Sequence, residues 1–568
     1  MRTITRFLFA LAFASAAVVA LAATTPVAVK PVTGRNGMVV AAHPQAAAAG
    51  LAVLKAGGNA IDAAVATSLA VGVAEPYGSG LGGKLMLLYY EAKSGRTYVV
   101  EAMDACGSAF GVAEYRKRPE DARSYGYSSV CVPGLAAGLW TAHQKWGAKK
   151  WADAVAPAIA LAREGFAILP KSRDFIAEQE RKLRRGDTEI ARLYLPGGEL
   201  PAIGSRLANP DLARTMELLA ARGRDGFYRG EIAEKIVAAA KAGGGIVSLD
   251  DFARYEARIV EPLQVDFRGY RLLAAPEPAQ GPALFLAIMK VLEADSFGGG
   301  PLRTAENLDR LGRVWRVAQP LVSAAVGDAP GSRFAIEKLL APDSIADLRR
   351  KTAPGAALPG KKAAWLDEPF AESHHAATTH FAVADAQGNV VCATQSQSLH
   401  FGAGVVPPGT GVVLNNSMSN FGYTDSKHVN YIAPGKRPRS TISPTIVVRG
   451  GKPVIAIGSP GAARIPTAML QGLLDRLVFN RPLAEAIGDT RVHFVAAGAK
   501  QEGEAFEAER SLPAAVSEGL RARGWRVVLP EEAGRGRHFG GLNAIELNAD
   551  GTMSGYADPR RTNVAAGY

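Results

Sequence analysis

The chain has 568 residues, 48% of them hydrophobic and 21% charged, an ordinary composition for a soluble protein with a large core. Its three cysteines, at positions 106, 131 and 392, are too few and too widely spaced for a disulfide scaffold or a C-x-x-C site. The net charge of +12 is dispersed, and the densest basic run, at 181–185, has glutamates beside it, which favours a solvated helix face over a nucleic-acid site.

The N-terminus has the pattern of a secretory signal. A basic start at 1–6 precedes an apolar run at 7–21, and the segment 20–22 supplies the small residues that a signal peptidase inspects. The alternative, a retained membrane anchor, needs about 20 apolar residues. We therefore predict a signal peptide at 1–22 and a mature protein that acts in the periplasm or outside the cell.

Two alanine-rich helices are predicted next, at about 45–55 and 60–74, with Asn59 as an N-cap. Both are apolar nearly all round, which is typical of interior helices. The loop 78–84 contains a G-x-G-x-x-G pattern, but the apolar segment 85–90 that follows indicates a strand. Because a dinucleotide-binding loop must open a helix, this pattern does not predict a nucleotide site.

The rest of the chain changes character near its middle. Residues 135–350 have a mostly helical pattern with short apolar strands, and the small residues, prolines and glycines of 353–364 predict a loop or linker. Alternating segments at 379–383 and 390–394 then flank a turn at 385–389. This pattern predicts a β-hairpin.

Thr378 stands at the start of that hairpin. A threonine hydroxyl is a weak nucleophile unless a base lies beside it. If the chain is cut before Thr378, the new α-amine, with an ordinary pKa of about 7.7–8.0, is such a base. The same hydroxyl could make the cut by attacking the carbonyl of Ala377. Most threonines in strands only fill sheet surface, so the pattern alone leaves both roles open.

Motifs spread along the chain extend this interpretation. The motifs lie at 54–64, 80–83, 227–230, 267–270, 436–438, 443–445, 458–461, 558–560 and 566–568. Through them the sequence from about residue 37 to 568 resembles the γ-glutamyltransferase (γ-glutamyltranspeptidase, glutathione hydrolase) family of N-terminal nucleophile hydrolases. Each motif is weak alone, but their number and order are specific.

The resemblance implies an α+β fold, a four-layer αββα sandwich made as a precursor and cut into two chains that stay together. The cut would fall between Ala377 and Thr378 and give a heavy chain of about 23–377 and a light chain of 378–568. Thr378 would be the nucleophile, acting on a small amide or peptide substrate. Water or an amine would be the acceptor, and no cofactor is implied.

The resemblance also assigns supporting roles. Ser396, where the family has a second threonine, would position the nucleophile. The backbone amides of Gly461 and Ala462 would form the oxyanion hole, which stabilises charge that develops only in the transition state. Ser440 and Thr441 stand where the family has a serine pair that binds the substrate carboxylate.

The pocket for the acyl group departs from the family. The arginine that binds the α-carboxylate of a γ-glutamyl group is replaced by Met103, and the acid that binds its α-amine by Asn420. The asparagine and the glutamine or acid that complete the pocket are replaced by Ser398 and Ser417. These changes remove the strongest ionic contacts to such a zwitterion. Arg439 could reach the carboxylate from the other side, or it could point to solvent.

Three histidines, at 374, 375 and 380, surround the predicted cut. Their spacing suits no helix face and no acid or cysteine cluster joins them, so no metal site is predicted.

We therefore expect a self-processed threonine amidohydrolase or acyltransferase. Its acyl group is γ-glutamyl, as in glutathione, or a glutaryl-like group, as in cephalosporin acylases. A glutaryl group lacks the α-amine and suits Asn420 better. An uncut, non-catalytic binding relative is the alternative from another class.

Overall fold

The structure, a computed structural model, describes residues 26–109, 111–119, 121–356, 376–495, 504–529 and 538–568. The predicted signal peptide and His374 and His375 lie outside the described residues. None of the helices described is both long and apolar enough to cross a membrane.

Helices predominate up to residue 351, and strands dominate after residue 376. The strands are β1 Val32–Gly34, β2 Gly37–Ala41, β3 Lys84–Glu91, β4 Arg96–Ala102, β5 Phe166–Ala167, β6 Arg206–Leu207, β7 Arg258–Val260, β8 Leu263–Phe267, β9 Tyr270–Ala274, β10 Ala376–Asp385, β11 Val390–Leu399, β12 Thr445–Arg449, β13 Lys452–Gly458, β14 Val492–Val495, β15 Ala505–Ala508, β16 Arg526–Val528, β17 Asn543–Leu547, β18 Met553–Ala557 and β19 Val564–Gly567. The α-helices are α1 Pro44–Lys55, α2 Ala60–Ala74, α3 Val112–Arg116, α4 Leu135–Trp146, α5 Trp151–Glu164, α6 Pro170–Glu178, α7 Glu180–Arg185, α8 Thr188–Tyr194, α9 Pro210–Arg222, α10 Asp225–Tyr228, α11 Glu231–Ala242, α12 Leu249–Arg254, α13 Gln280–Leu292, α14 Ala305–Ala325, α15 Ser332–Leu340, α16 Pro342–Lys351, α17 Ile465–Leu477, α18 Leu483–Gly488 and α19 Ala514–Ala522.

Two seven-stranded antiparallel sheets form the centre of the molecule. One has the order β1-β18-β17-β13-β12-β9-β8 and the other β19-β2-β10-β11-β3-β4-β7. Both sheets combine strands that precede residue 377 with strands that follow it. The predicted hairpin, β10 and β11, therefore lies in the middle of its sheet, between β2 and β3.

The core has three layers because each sheet is apolar on both faces. Met86 of β3, Ala382 of β10 and Ile446 of β12 belong to the layer between the sheets. The outer face of the β10 sheet packs against α1, α2, α4 and α5, and the outer face of the other sheet against α13, α14 and α17. This arrangement is the predicted four-layer αββα sandwich.

The local predictions agree with these elements. Asn59 caps α2 in a capping box with Asp62, and α2 is buried along nearly its whole length. Helix α1 differs from the prediction, because one side of it faces solvent and alanine tolerates either environment. The loop at 78–84 leads into β3, as predicted, and the three cysteines are buried free thiols.

Candidate active site

The predicted nucleophile lies where the pairing of β10 and β11 becomes irregular. Ala377 pairs with Ser398 and Thr379 with Gln395, so the register shifts across Thr378. The Thr378 side chain is buried, and its hydroxyl contacts the carbonyl oxygen of the preceding residue, Ala377. This arrangement brings the Thr378 hydroxyl into contact with the adjacent peptide group.

Ser396 on β11 lies against the same peptide bond. Its Oγ atom is 3.2 Å from Oγ1 of Thr378 and donates a hydrogen bond to the carbonyl oxygen of Ala377. The backbone amide of Ser398 donates to Ser396 Oγ at 3.0 Å and holds that hydroxyl in place. Each hydroxyl has a single proton, so when both donate to the Ala377 carbonyl, neither donates to the other.

Gly461 and Ala462 lie in the turn between β13 and α17. Both have positive φ angles, 137° at Gly461 and 52° at Ala462, and a non-glycine residue in that region is typical of functional sites. The short 3-10 turn Ala462–Arg464 packs against β10. The first amides of such a turn have no partner within it.

Three of the predicted pocket residues form a hydrogen-bonded cluster with a lysine that the sequence analysis did not identify. The ammonium of Lys84, at the start of β3, is 2.5 Å from Ser398 Oγ and 2.8 Å from Ser417 Oγ. Asn420 Nδ2 donates to Ser398 Oγ at 2.9 Å. Ser398 adopts φ 79°, a strained conformation for serine. The only sequence signal for this cluster was a lysine at the edge of an apolar strand.

Asp104 completes this cluster, 3.5 Å from the Lys84 ammonium and hydrogen-bonded to Ser417 Oγ. Both charged side chains are fully buried. Burial lowers the pKa of Lys84, an effect that the Asp104 carboxylate opposes. Burial likewise raises the pKa of Asp104 to about 6 against the opposing charge of Lys84. The two groups therefore depend on each other to stay charged.

Met103, beside Asp104, is buried in the apolar layer between the sheets. Its backbone carbonyl accepts a hydrogen bond from Tyr255, and its amide donates to Glu101. The side chain at this position is thus part of the core and supplies no charge to the pocket.

Ser440 and Thr441 lie on the segment that precedes β12, and both are nearly buried. Ser440 pairs with the 278–280 segment: its amide donates to Pro278 and its carbonyl accepts from Gln280 at 2.7 Å. The carbonyl of Thr441 accepts from Ser443 Oγ at 2.8 Å. These contacts fix the backbone that presents the two hydroxyls.

Arg439 is buried against α14 and does not point to solvent. Its Nη1 donates to the carbonyl and hydroxyl of Ser323, at 2.8 and 3.0 Å, and its backbone amide donates to Asn430. A cation near the C-terminal end of a helix is favourable. Binding a substrate carboxylate through this nitrogen would require the guanidinium to leave Ser323.

A second buried carboxylate, Glu75, binds Thr379, the residue after Thr378, and sequence reasoning missed it. Its oxygens accept hydrogen bonds from Thr379 at 2.9 Å, Thr562 at 2.5 Å and Tyr77 at 3.0 Å. Burial raises the pKa of Glu75, and the hydrogen bond from Thr562 and the charge of Arg561 oppose that rise. A single acid after an apolar helix was the only signal in the sequence.

His380, the one described histidine of the three near the cut, is fully buried, and burial lowers the pKa of its ring to about 3. Its Nδ1 is 2.8 Å from Thr394 Oγ1. Among the described residues, no group of three or more histidine, cysteine or acidic side chains could hold a metal ion.

Comparisons with known proteins identify the family of the chain. The sequence model described as Gamma-glutamyltranspeptidase matches residues 46–568. The chain is 34% identical over 539 residues to the Acylase ACY 1 proenzyme of Pseudomonas sp. (strain SE83), covering 93% of each chain. It is also 34% identical over 480 residues to the Glutathione hydrolase proenzyme of Pseudomonas sp. (strain A14), covering 82% of each.

Solved structures give the same grouping. The cephalosporin acylase from Bacillus halodurans superposes with a TM-score of 0.83 at 26% identity, over 95% of this chain and 97% of that chain. The gamma-glutamyltranspeptidase from Pseudomonas nitroreducens, complexed with L-DON, gives a TM-score of 0.51 at 30% identity, over 56% of this chain and 95% of that chain. With its four-layer N-terminal nucleophile hydrolase fold, the chain belongs to the gamma-glutamyltranspeptidase family of enzymes.

Proposed function

We propose that the chain cleaves itself between Ala377 and Thr378 and then uses Thr378 to hydrolyse or transfer the acyl group of a small amide. The observation that supports this most directly is the position of two hydroxyls on one carbonyl. Thr378 Oγ1 contacts the Ala377 carbonyl, and Ser396 donates a hydrogen bond to its oxygen.

In the first stage, Thr378 Oγ1 attacks the carbonyl carbon of Ala377 and the oxygen becomes negatively charged. The Ser396 hydroxyl stabilises that charge, as an oxyanion-hole donor does. The C–N bond then breaks as the nitrogen takes up the proton of the Thr378 hydroxyl, leaving an ester on Thr378 Oγ1 and a free α-amine. Water hydrolyses the ester and gives a heavy chain ending at Ala377 and a light chain, 378–568, beginning at Thr378.

In the second stage, the new α-amine takes the proton of the Thr378 hydroxyl as that hydroxyl attacks a substrate amide. The amides of Gly461 and Ala462 would bind the oxyanion, and the departing amine receives the proton. Water or an amine acceptor then releases the acyl group. The relatives named above include a glutathione hydrolase and acylases, so a γ-glutamyl group and a glutaryl-like group are both compatible acyl groups.

The two chains would remain together as a heterodimer, and Ser440 and Thr441 would contact the substrate carboxylate. The N-terminal segment 1–22 would direct the protein to the periplasm or outside the cell.

The test is an intact mass and a denaturing gel of the purified wild type, Thr378→Ala and Thr378→Ser. We expect wild type to give two fragments, the smaller beginning at Thr378. Thr378→Ala should stay whole, whereas Thr378→Ser, which keeps a hydroxyl, should still cleave. If folded wild type stays whole, Thr378 is not an N-terminal nucleophile and a non-catalytic binding role replaces this proposal.

A further inference from the structure

Lys84 occupies the part of the pocket where the family resemblance places the α-amine of a γ-glutamyl substrate. By that resemblance Asn420 stands at the position of the acid that binds the α-amine, and Ser398 and Ser417 stand at the positions that complete the pocket. The Lys84 ammonium is 2.5 Å from Ser398 Oγ and 2.8 Å from Ser417 Oγ, and Asn420 donates to the same Ser398 oxygen. The protein thus has its own ammonium group where a substrate ammonium would be expected.

The sheet places this ammonium at a suitable distance from the nucleophile. Lys84 pairs directly with Ser396, whose hydroxyl is 3.2 Å from that of Thr378. Ser398, which holds the ammonium, is two residues further along β11, or about 7 Å for an extended strand. An acyl chain of about five carbon atoms, with bonds of about 1.5 Å, spans a comparable length from the attacked carbonyl.

The described residues of this subsite offer a second ammonium no carboxylate of its own. Asn420 and the two serines are neutral, and the buried carboxylate of Asp104 is already 3.5 Å from Lys84. A γ-glutamyl α-amine would have to displace Lys84 or lie beside it, and two like charges at such a distance in a buried site repel strongly. The three ammonium protons of Lys84 are directed at Asp104, Ser398 and Ser417. A substrate carboxylate would replace one of the two serine hydroxyls as a partner of the ammonium and form a stronger, charge-assisted hydrogen bond.

We propose that Lys84 is the specificity-determining residue of the acyl pocket: it fills the α-amine subsite and binds the distal carboxylate of an acyl group that has no α-amine. The preferred substrates are then monoamides of short dicarboxylic acids, of the glutaryl type. This inference rests on the proposed function, because it assumes that Thr378 receives the acyl group. A purely structural Lys84–Asp104 ion pair would stabilise the fold without any preference between acyl groups.

The experiment compares two substrates with the same leaving group, glutaryl-p-nitroanilide and γ-L-glutamyl-p-nitroanilide, on the self-cleaved enzyme. We expect kcat/KM to be at least about tenfold higher for the glutaryl anilide in wild type. Lys84→Met, which keeps the length and removes the charge, should lower kcat/KM for the glutaryl anilide by about 100-fold and so reverse or abolish the preference. Lys84→Arg keeps a cation and should retain the preference.

The control is Lys182→Met, because Lys182 is another lysine held inside the protein, by the backbone carbonyls of His400 and Gly402. This variant should lose stability but keep the wild-type ratio of the two kcat/KM values. If Lys84→Met does not fold, the wild-type ratio and Lys84→Arg decide the question.

The outcomes separate the two proposals. A wild-type enzyme that self-cleaves and prefers the γ-glutamyl anilide, treats both alike or hydrolyses neither overturns the role of Lys84 and leaves the self-cleavage at Thr378 standing. An unchanged ratio in folded Lys84→Met also overturns it and leaves a structural ion pair. A folded wild type that neither cleaves itself nor hydrolyses either anilide refutes the proposed function instead.

Discussion

Replacing Ser396 with alanine should slow self-cleavage while leaving the fold intact. The Ser396 hydroxyl is the donor to the Ala377 oxygen, where charge develops when Thr378 attacks. Loss of one such donor slows a reaction by about 10²- to 10³-fold, or about 2.7–4 kcal/mol of barrier. The assay is a time course of precursor disappearance on denaturing gels after rapid purification. Ser396→Thr restores a hydroxyl and should recover most of the rate.

Ser332→Ala is the matched control. Ser332 is as buried as Ser396, donates to the carbonyl of Ala325 at 2.6 Å and accepts from the amide of Gly327 at 3.0 Å. Each alanine variant removes one buried hydrogen bond to a backbone carbonyl and one from a backbone amide, and should lose about 1–3 kcal/mol of stability. Equal cleavage rates in the two alanine variants would refute a role for Ser396 in the cut.

Three further predictions concern stability. His380 is neutral when folded because burial lowers its pKa to about 3, whereas an unfolded histidine protonates near pH 6.5. The free energy of unfolding of wild type minus that of His380→Gln should therefore fall by about 1.4 kcal/mol for each pH unit below pH 6.5. Urea titration of both proteins measures this difference, and a difference that stays constant with pH would contradict the reasoning. Asp558→Asn removes the carboxylate that faces Arg491 and Arg560 in the interior and should cost about 3–5 kcal/mol by the same method; a loss below about 1 kcal/mol would show that the pair is replaceable. Asn59→Ala removes the cap of α2 and should cost about 0.5–2 kcal/mol in thermal unfolding, and an unchanged transition would contradict the role of the cap.

Local patterns were enough to predict the elements around the nucleophile. Asn59 before an apolar run predicts the start of α2, and two alternating segments around a turn predict β10 and β11, because these signals depend on neighbours in sequence. The four-layer fold was predicted from the family resemblance, whose motifs extend over most of the chain. Thr378 and Ser396 were identified in the same way, since a threonine or serine in a strand has no distinctive pattern of its own.

The surroundings of the site could not be predicted from local patterns. Lys84 meets Ser398 and Ser417 across 314 and 333 positions of sequence, and Glu75 meets Thr562 across 487. Such partners are brought together by the order of strands in the two sheets, which no sequence period encodes. The resemblance indicated that charges were missing at Met103 and Asn420, but it gave no sign that a lysine from β3 enters the same pocket.

Each sheet contains strands from both sides of residue 377, and this has a consequence for how the proposed two-chain enzyme could be assembled. In the β10 sheet, β19 and the β10–β11 pair flank β2, and in the other sheet β18 to β12 lie between β1 and β9. Neither product of the cut has a complete sheet, so separating them would expose both interiors and amount to unfolding. We therefore expect dilution to leave the pair intact, and separately expressed halves to depend on folding together rather than on docking as finished subunits.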